Sequence, residues 1–323
     1  MKENEVDVLE QYDLTVNSTR KVRGAILCDT SKGPFLLKEM TFSEKRLPIL
    51  HELYMRLDHT DMIQKNKEEM FVSCAEDGTK YILKKWFLGR ECDSTREGDI
   101  LEAVQNLARL HQKMRIHIEE NIYQKERLTQ EFKRHNQELK KVRSFVRNKK
   151  GKGRFELIFL QDFEEIYEWA ECAASRLAEL NYDRLLEERV QQSTIVHGDY
   201  NYHNILFLPD AVATTNFEHF YVGIQMMDFY YFLRKIMEKN KWNVHLGHKM
   251  MEQYNRIHPF EEEELELLAI CVAYPEKFWK AANSYYRSNK AWISIKSVEK
   301  LELAIQQRKA TELFLKELFS FRL

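Results

Sequence analysis

Within the run IVHGDYNYHNILF, residues 195–207, His197, Asp199 and Asn204 are spaced His-x-Asp-x-x-x-x-Asn between two apolar stretches. A carboxylate and a carboxamide five residues apart on one loop suit phosphoryl transfer, a reaction in which the protein positions groups more than it bonds to them. Asp199 has the type to orient an attacking hydroxyl and accept its proton. Asn204 offers an amide oxygen to a hard cation such as Mg2+. His197 reads as a buried, hydrogen-bonded support of the loop, and His203 has no partners at zinc-like spacing. The plainer alternative has Asp199 and Asn204 bonding only loop backbone. The apolar runs on both sides favour the kinase-like arrangement.

Transfer from a nucleotide also needs a cation on its phosphates. Lys38 ends the strand-like run Phe35-Leu36-Leu37, and the helix expected next offers Glu52 to hold it, with Glu44 as the alternative partner. Ahead of it the segment VNSTRKVRG, residues 16–24, is expected to turn over the phosphates. It carries a single glycine, Gly24, where several would free backbone N–H groups for phosphate contact.

The elements that must position these residues fall into two kinds. Residues 22–28 and 35–40 are short apolar runs joined by the turn-forming DTSKGP, and residues 70–74 and 81–83 repeat that pattern around EDGT. Between them Leu47, Leu50, Tyr54 and Leu57 mark one face of a helix over 44–57. This order predicts a small antiparallel sheet with a packed helix. Beyond Gly89 the pattern turns helical: a stripe from Ile100 to His111, then helices over 163–180, 227–240, 261–273 and 296–318. Asp228 is expected to cap the second of these and brace the loop. The aromatic-rich stretch from Tyr274 to Trp292 reads as packing between helices, with a sugar or lipid-headgroup pocket as the alternative. Lys140 to Arg154, with eight Lys/Arg and no acid, reads as a solvated inter-helix loop, with a dock for an anionic surface or substrate as the sharper alternative.

Of the 323 residues 44% are hydrophobic and 31% charged, as in an ordinary globular protein. Fifty basic and 51 acidic residues leave a formal charge of −1, so no global field favours nucleic acid or an anionic membrane. The five cysteines form no CxxC pair, and neither a signal-peptide core nor a membrane-length apolar run is evident. Synthesis in the cytoplasm, reduced thiols, and no nucleic-acid or membrane partner are the corresponding expectations.

Taken together these residues resemble the aminoglycoside phosphotransferase and choline kinase superfamily. The likeness is closer to its CotS-like branch of spore-coat kinase-like proteins. Residues 228–242, 274–280 and 285–302 are similar to that branch, so the resemblance runs through nearly the whole chain. It implies an α+β, protein-kinase-like fold of two lobes, residues 1–88 and 89–323, with ATP between them. Adenine would lie near Lys84 to Phe87, so that Lys85, Trp86 and Phe87 join Lys38 and Glu52 in holding the nucleotide. Mg2+ would sit at Asn204 and at the family's Asp-Phe-Gly/Glu motif, which here reads Asn216-Phe217-Glu218. Asparagine keeps an oxygen ligand but drops a full charge, and Glu218 is the nearby carboxylate. The implied activity is transfer of the ATP γ-phosphate to a hydroxyl of a small molecule, with other spore coat proteins as further partners. The alternative is a weak or inactive pseudokinase acting in spore-coat structure or assembly.

Overall fold

The computed structural model describes residues 3–118, 127–288 and 294–321. Its N-terminal region is an antiparallel sheet of six strands, β1 (Val16–Val22), β2 (Ala25–Thr30), β3 (Gly33–Glu39), β4 (Ile63–Gln64), β5 (Ser73–Cys74) and β6 (Lys80–Lys85). They lie in the order β1-β2-β3-β6-β4, with β5 also on β6. The expectation of a covering turn over 16–24 is corrected here. Residues 16–22 form a strand, and the turn is only Arg23-Gly24, both left-handed at φ 47° and 80°. Two such residues give a hairpin whose twist matches its strands, which is why glycine is needed at the second position.

Period-two alternation sorts the sheet into two faces. Ile26, Cys28, Phe35, Leu37 and Leu83 pack against Val8, Leu9 and Tyr12 of and just after α1 (Glu3–Glu10). Register places Leu36 opposite both Leu27 and Lys84, and Lys38 opposite Ile82, so these residues share the other face. Helix α2 (Leu47–Arg56), started by a proline in its first turn, buries Leu47, Leu50, Leu53 and Tyr54 into the main core.

The rest is mainly helical: α3 (Glu97–Lys113), α4 (Leu128–Asn148), α5 (Arg154–Glu179), α6 (Tyr182–Gln191), α7 (Met226–Lys239), α8 (Val244–Ile257), α9 (Glu262–Ala273), α10 (Glu276–Arg287), α11 (Ile295–Gln306) and α12 (Arg308–Phe319). Two small ladders interrupt it. Strand β9 (Ile205–Phe207) lies between β7 (Arg90–Glu91) and β10 (Val212–Thr214), while β8 (Ile195–Val196) pairs with β11 (Tyr221–Val222). The architecture is α+β and kinase-like, as the sequence implied.

Two further expectations change. The basic run is no loop over most of its length, because residues 140–148 belong to α4. Leu139, Val142 and Val146 face the core at helical spacing, and the cations lie outside that stripe. Arg143 pairs with Glu164, Lys149 with Glu156 and Arg154 with Glu302, so much of the charge is neutralised. The single helix expected over 296–318 is two, broken at Gln307, whose side-chain amide donates to the Glu238 carbonyl at 3.0 Å. Trp292 lies outside the described residues. Among the described residues no helix is long and apolar enough to cross a membrane.

Candidate active site

The loop after β8 is held from beneath by α7. Asp228 accepts the backbone N–H of His197 at 2.6 Å and of Gly198 at 2.9 Å, and it meets His111 Nε2 at 3.1 Å. It lies inside α7, not at its N-cap, a position Gln225 holds. Gly198 has φ 81°, and a Cβ there would lie 2.2 Å from the His219 carbonyl oxygen, so only glycine fits. His197 is fully buried; its Nδ1 accepts the Asp199 N–H at 3.1 Å, which leaves Nε2–H to donate to the Thr215 carbonyl at 3.1 Å. Burial lowers its pKa, so the ring stays neutral and works as a brace.

Asp199 is thereby aimed by both neighbours. Its Oδ1 accepts Asn201 Nδ2 at 2.9 Å and its Oδ2 accepts Asn204 Nδ2 at 2.8 Å. With the Asn204 amide nitrogen committed to Asp199, its Oδ1 turns outward and meets Asn216 Nδ2 at 2.7 Å. Asn216 is left-handed, φ 67°, and its own N–H donates to Asp61 Oδ2 at 2.9 Å.

Above this pair sits a buried ion cluster. Lys38 Nζ lies 3.3 Å from Glu218 Oε1 and 3.5 Å from Asn216 Oδ1. The expected Lys38–Glu52 pair does not form. Glu52 is on the solvent side of α2, paired with Arg56, and Glu44 pairs with Lys80. Lys84 occupies the interior: wholly buried, it pairs with Asp61 and, at 2.7 Å, with Glu218 Oε1. Burial alone would raise the Glu218 carboxyl, but Lys84 and Lys38 outweigh it and hold it down at about 2. Burial dominates at Asp61 and pushes it up to about 6 against the pull of Lys84. Two acids sharing one fully buried lysine cannot both be equally satisfied, and the second lysine reaches only Glu218. Glu218 Oε2 and Asp61 Oδ1 are buried without hydrogen-bond partners.

Next to the cluster lie two apolar surfaces. Ala25, Leu27 and Leu36 of the sheet pack with Trp86, and Trp86 also joins Phe87, Leu206 and Ala213 below. Lys85 is exposed, its Nζ 5.6 Å from the centre of the Phe87 ring, on the side away from buried Lys84. At the front, Arg23 at the hairpin tip reaches Glu91 at 2.7 Å, and Glu91 meets His203 Nδ1 at 2.7 Å. Burial would raise the Glu91 carboxyl, yet His203 and Arg23 together hold it below the usual range.

Asn204 Oδ1 and Asn216 Oδ1, beside the Asp199 carboxylate, are a donor set for a hard cation, though a weak one. Glu218 is spoken for by two lysines. Among the described residues no group of three or more His, Cys, Asp or Glu is arranged to hold a metal ion.

The family model "Spore coat putative kinase YutH" matches residues 5–318. The chain belongs to that family. No curated protein matches it by sequence. Among solved structures it is similar to an aminoglycoside phosphotransferase from Alicyclobacillus acidocaldarius, with a TM-score of 0.88 at 16% identity over 98% of this chain and 95% of that one. A spectinomycin phosphotransferase in complex with ADP and spectinomycin gives a TM-score of 0.68 at 12% identity, over 96% and 97%. The amicoumacin kinase in complex with AMP-PNP, Ca2+ and Ami gives 0.58 at 12%, over 95% and 94%. At these identities the likeness is one of fold, and that fold is the kinase-like phosphotransferase fold.

Lys84, Asp61 and Asn201 are site residues that sequence reading did not single out. A signal for Lys84 existed, since it stands two residues after Ile82 on the same strand face. Asp61 follows a helix end and carried none. The Arg23–Glu91–His203 bridge joins three separate segments and is visible only once folded.

Proposed function

We propose that this member of the YutH spore-coat kinase family is an ATP-dependent phosphotransferase acting on a hydroxyl of a small molecule. The observation that carries the reading is Asp199, held by Asn201 and Asn204 with the Asn204 oxygen directed at Asn216. The loop thus presents a base and an amide ligand side by side. The nucleotide base would lie between Leu27 and Leu36 above and Leu206 below, beside Trp86 and Phe87. Lys38 is the cation near the phosphates. Asn204 and Asn216 would share a Mg2+ whose remaining ligands come from phosphate and water. Such an ion neutralises charge on the transferring group. Two neutral amides in place of an amide and a carboxylate weaken that hold. The nucleotides and the Ca2+ named for its structural neighbours support the choice of cofactors.

ATP turnover with Mg2+ tests this. Asp199→Asn should lower it by about 10^2 to 10^4-fold while leaving the melting temperature nearly unchanged. Turnover unchanged in that variant removes Asp199 from the chemistry.

A second reading is a catalytically weak or inactive pseudokinase serving spore-coat structure or assembly. The pairing of Glu218 with Lys84 favours it, because that carboxylate is withdrawn from metal binding. Calorimetry separates the two: Mg2+-dependent ATP binding belongs to the first reading, and its absence at millimolar concentrations to the second.

A further inference from the structure

Two of the segments that carry the sequence resemblance, residues 228–242 and 274–280, meet around a cavity. Its volume is about 70 Å³, room for several waters or one small planar molecule. Arg234, Glu238 and Trp242 form one wall, Tyr274 to Phe278 another, and Trp169, Arg308 and Thr311 close it. None of its lining residues belongs to the 195–218 segment.

The polar groups here are unbalanced. Arg234 and Trp242 are only 8% and 7% exposed, yet Arg234 Nε and Trp242 Nε1 are buried without a hydrogen-bond partner, as is Arg308 Nη1. These are all donors, and a buried donor left unpaired is costly. The acceptors nearby are engaged. Glu276 binds Arg234 at 3.0 Å and also pairs with Lys280; Glu238 binds Lys277 at 2.7 Å; Glu165 binds Arg308 at 2.8 Å. Among the lining residues three cations (Arg234, Lys277, Arg308) stand against two carboxylates (Glu238, Glu276), which leaves one positive charge. Ile166, Trp169, Val272 and Phe278 supply apolar and aromatic walls.

We propose that this cavity is a second ligand site, taking a small organic anion with a flat apolar body and a carboxylate-like head. The head accepts from Arg234, Arg308 and Trp242, and the body lies against the aromatic walls. The site lies along α7, about 9 Å of helix from Asp228, by 1.5 Å per residue. Occupancy therefore bears on the same helix that holds the Asp199 loop.

The test uses the full chain and 4-fluorobenzoate as probe, followed by 19F NMR. Saturable broadening at about millimolar probe is expected, as suits so small a ligand. The neutral 4-fluorobenzyl alcohol should bind at least tenfold more weakly, and Mg2+-ATP should not displace the benzoate. Trp242→Phe, which removes the N–H together with part of the ring, should weaken binding severalfold, and Arg308→Gln about tenfold, with melting curves confirming folded protein. Absence of saturable binding overturns the proposal. So do equal binding of the alcohol, displacement by Mg2+-ATP, or affinity unchanged in both variants.

Discussion

The Asp199 loop and the Asn216–Glu218 segment meet in one site, but they are held by different forces. The loop is fixed by neutral hydrogen bonds and backbone fit: His197 to Thr215, Asn204 to Asp199, Gly198 against His219. Its charged supports include Asp228, which accepts from its backbone, and Glu91 at the rim, which meets His203. The facing segment is fixed by buried charge, with Lys84 shared between Asp61 and Glu218 and Lys38 beside them. Hydrogen bonding of the first kind positions the Asp199 carboxylate without spending its charge. Ion pairing of the second kind consumes the carboxylate that a metal would need. On the proposed reading, the half of the site that would aim a hydroxyl is kept, and the half that would hold a cation is diverted to folding.

Removing one member from each side breaks the comparison most sharply. Gly198→Ala forces a Cβ onto the His219 carbonyl at a left-handed φ, and a loss of about 4 kcal/mol or more is expected in urea denaturation. A loss under about 1 kcal/mol would mean the loop is not seated as described. Lys84→Met strands two buried carboxylates and should cost about 3–5 kcal/mol. Adding Glu218→Gln to that variant should recover part of the loss, because one of the stranded charges is then gone. Strict additivity of the two changes would show that Lys84 and Glu218 are not coupled.

A smaller effect sharpens the same contrast through pH. Asp61 titrates at about 6 when folded, above the value near 4 of an unfolded carboxyl. Between those values the folded state binds more protons, so the Asp61 contribution to stability grows as pH falls from about 6 to about 4. Glu218 works the other way: held at about 2, it contributes above about 4, and that contribution is lost as pH falls toward 2. The wild type should thus gain melting temperature relative to Asp61→Asn on moving from pH 7 to pH 4.5. A difference that stays constant across that range would place Asp61 at an ordinary carboxylate pKa.

How much of this was legible beforehand follows the same division. The loop could be read because its residues are close in sequence and their spacing is itself the signal. The sheet and its helix could be read from turn residues and periodicity, although β1 was missed because VNSTRKV is an edge strand with mostly exposed side chains. The charge cluster could not be read. Strand facing decides that Lys84 points inward and Lys85 outward, and helix rotation decides that Glu52 faces water while Tyr54 is buried against Phe217. The basic run misled because net charge describes solvation, whereas Leu139, Val142 and Val146 set the backbone conformation there.

The most direct test of the account restores what the second region lacks. Asn216→Asp returns a carboxylate to the position facing Asn204 Oδ1, and ATP turnover is then followed across a magnesium titration. The wild type should turn over only at millimolar Mg2+, and the variant should reach half-maximal rate at about tenfold lower Mg2+, with Asp199→Asn lowering turnover by about 10^2 to 10^4-fold in both backgrounds. Turnover that is absent at every Mg2+ concentration in the wild type and in Asn216→Asp alike would contradict the claim that the Asp199 loop is a working catalytic half.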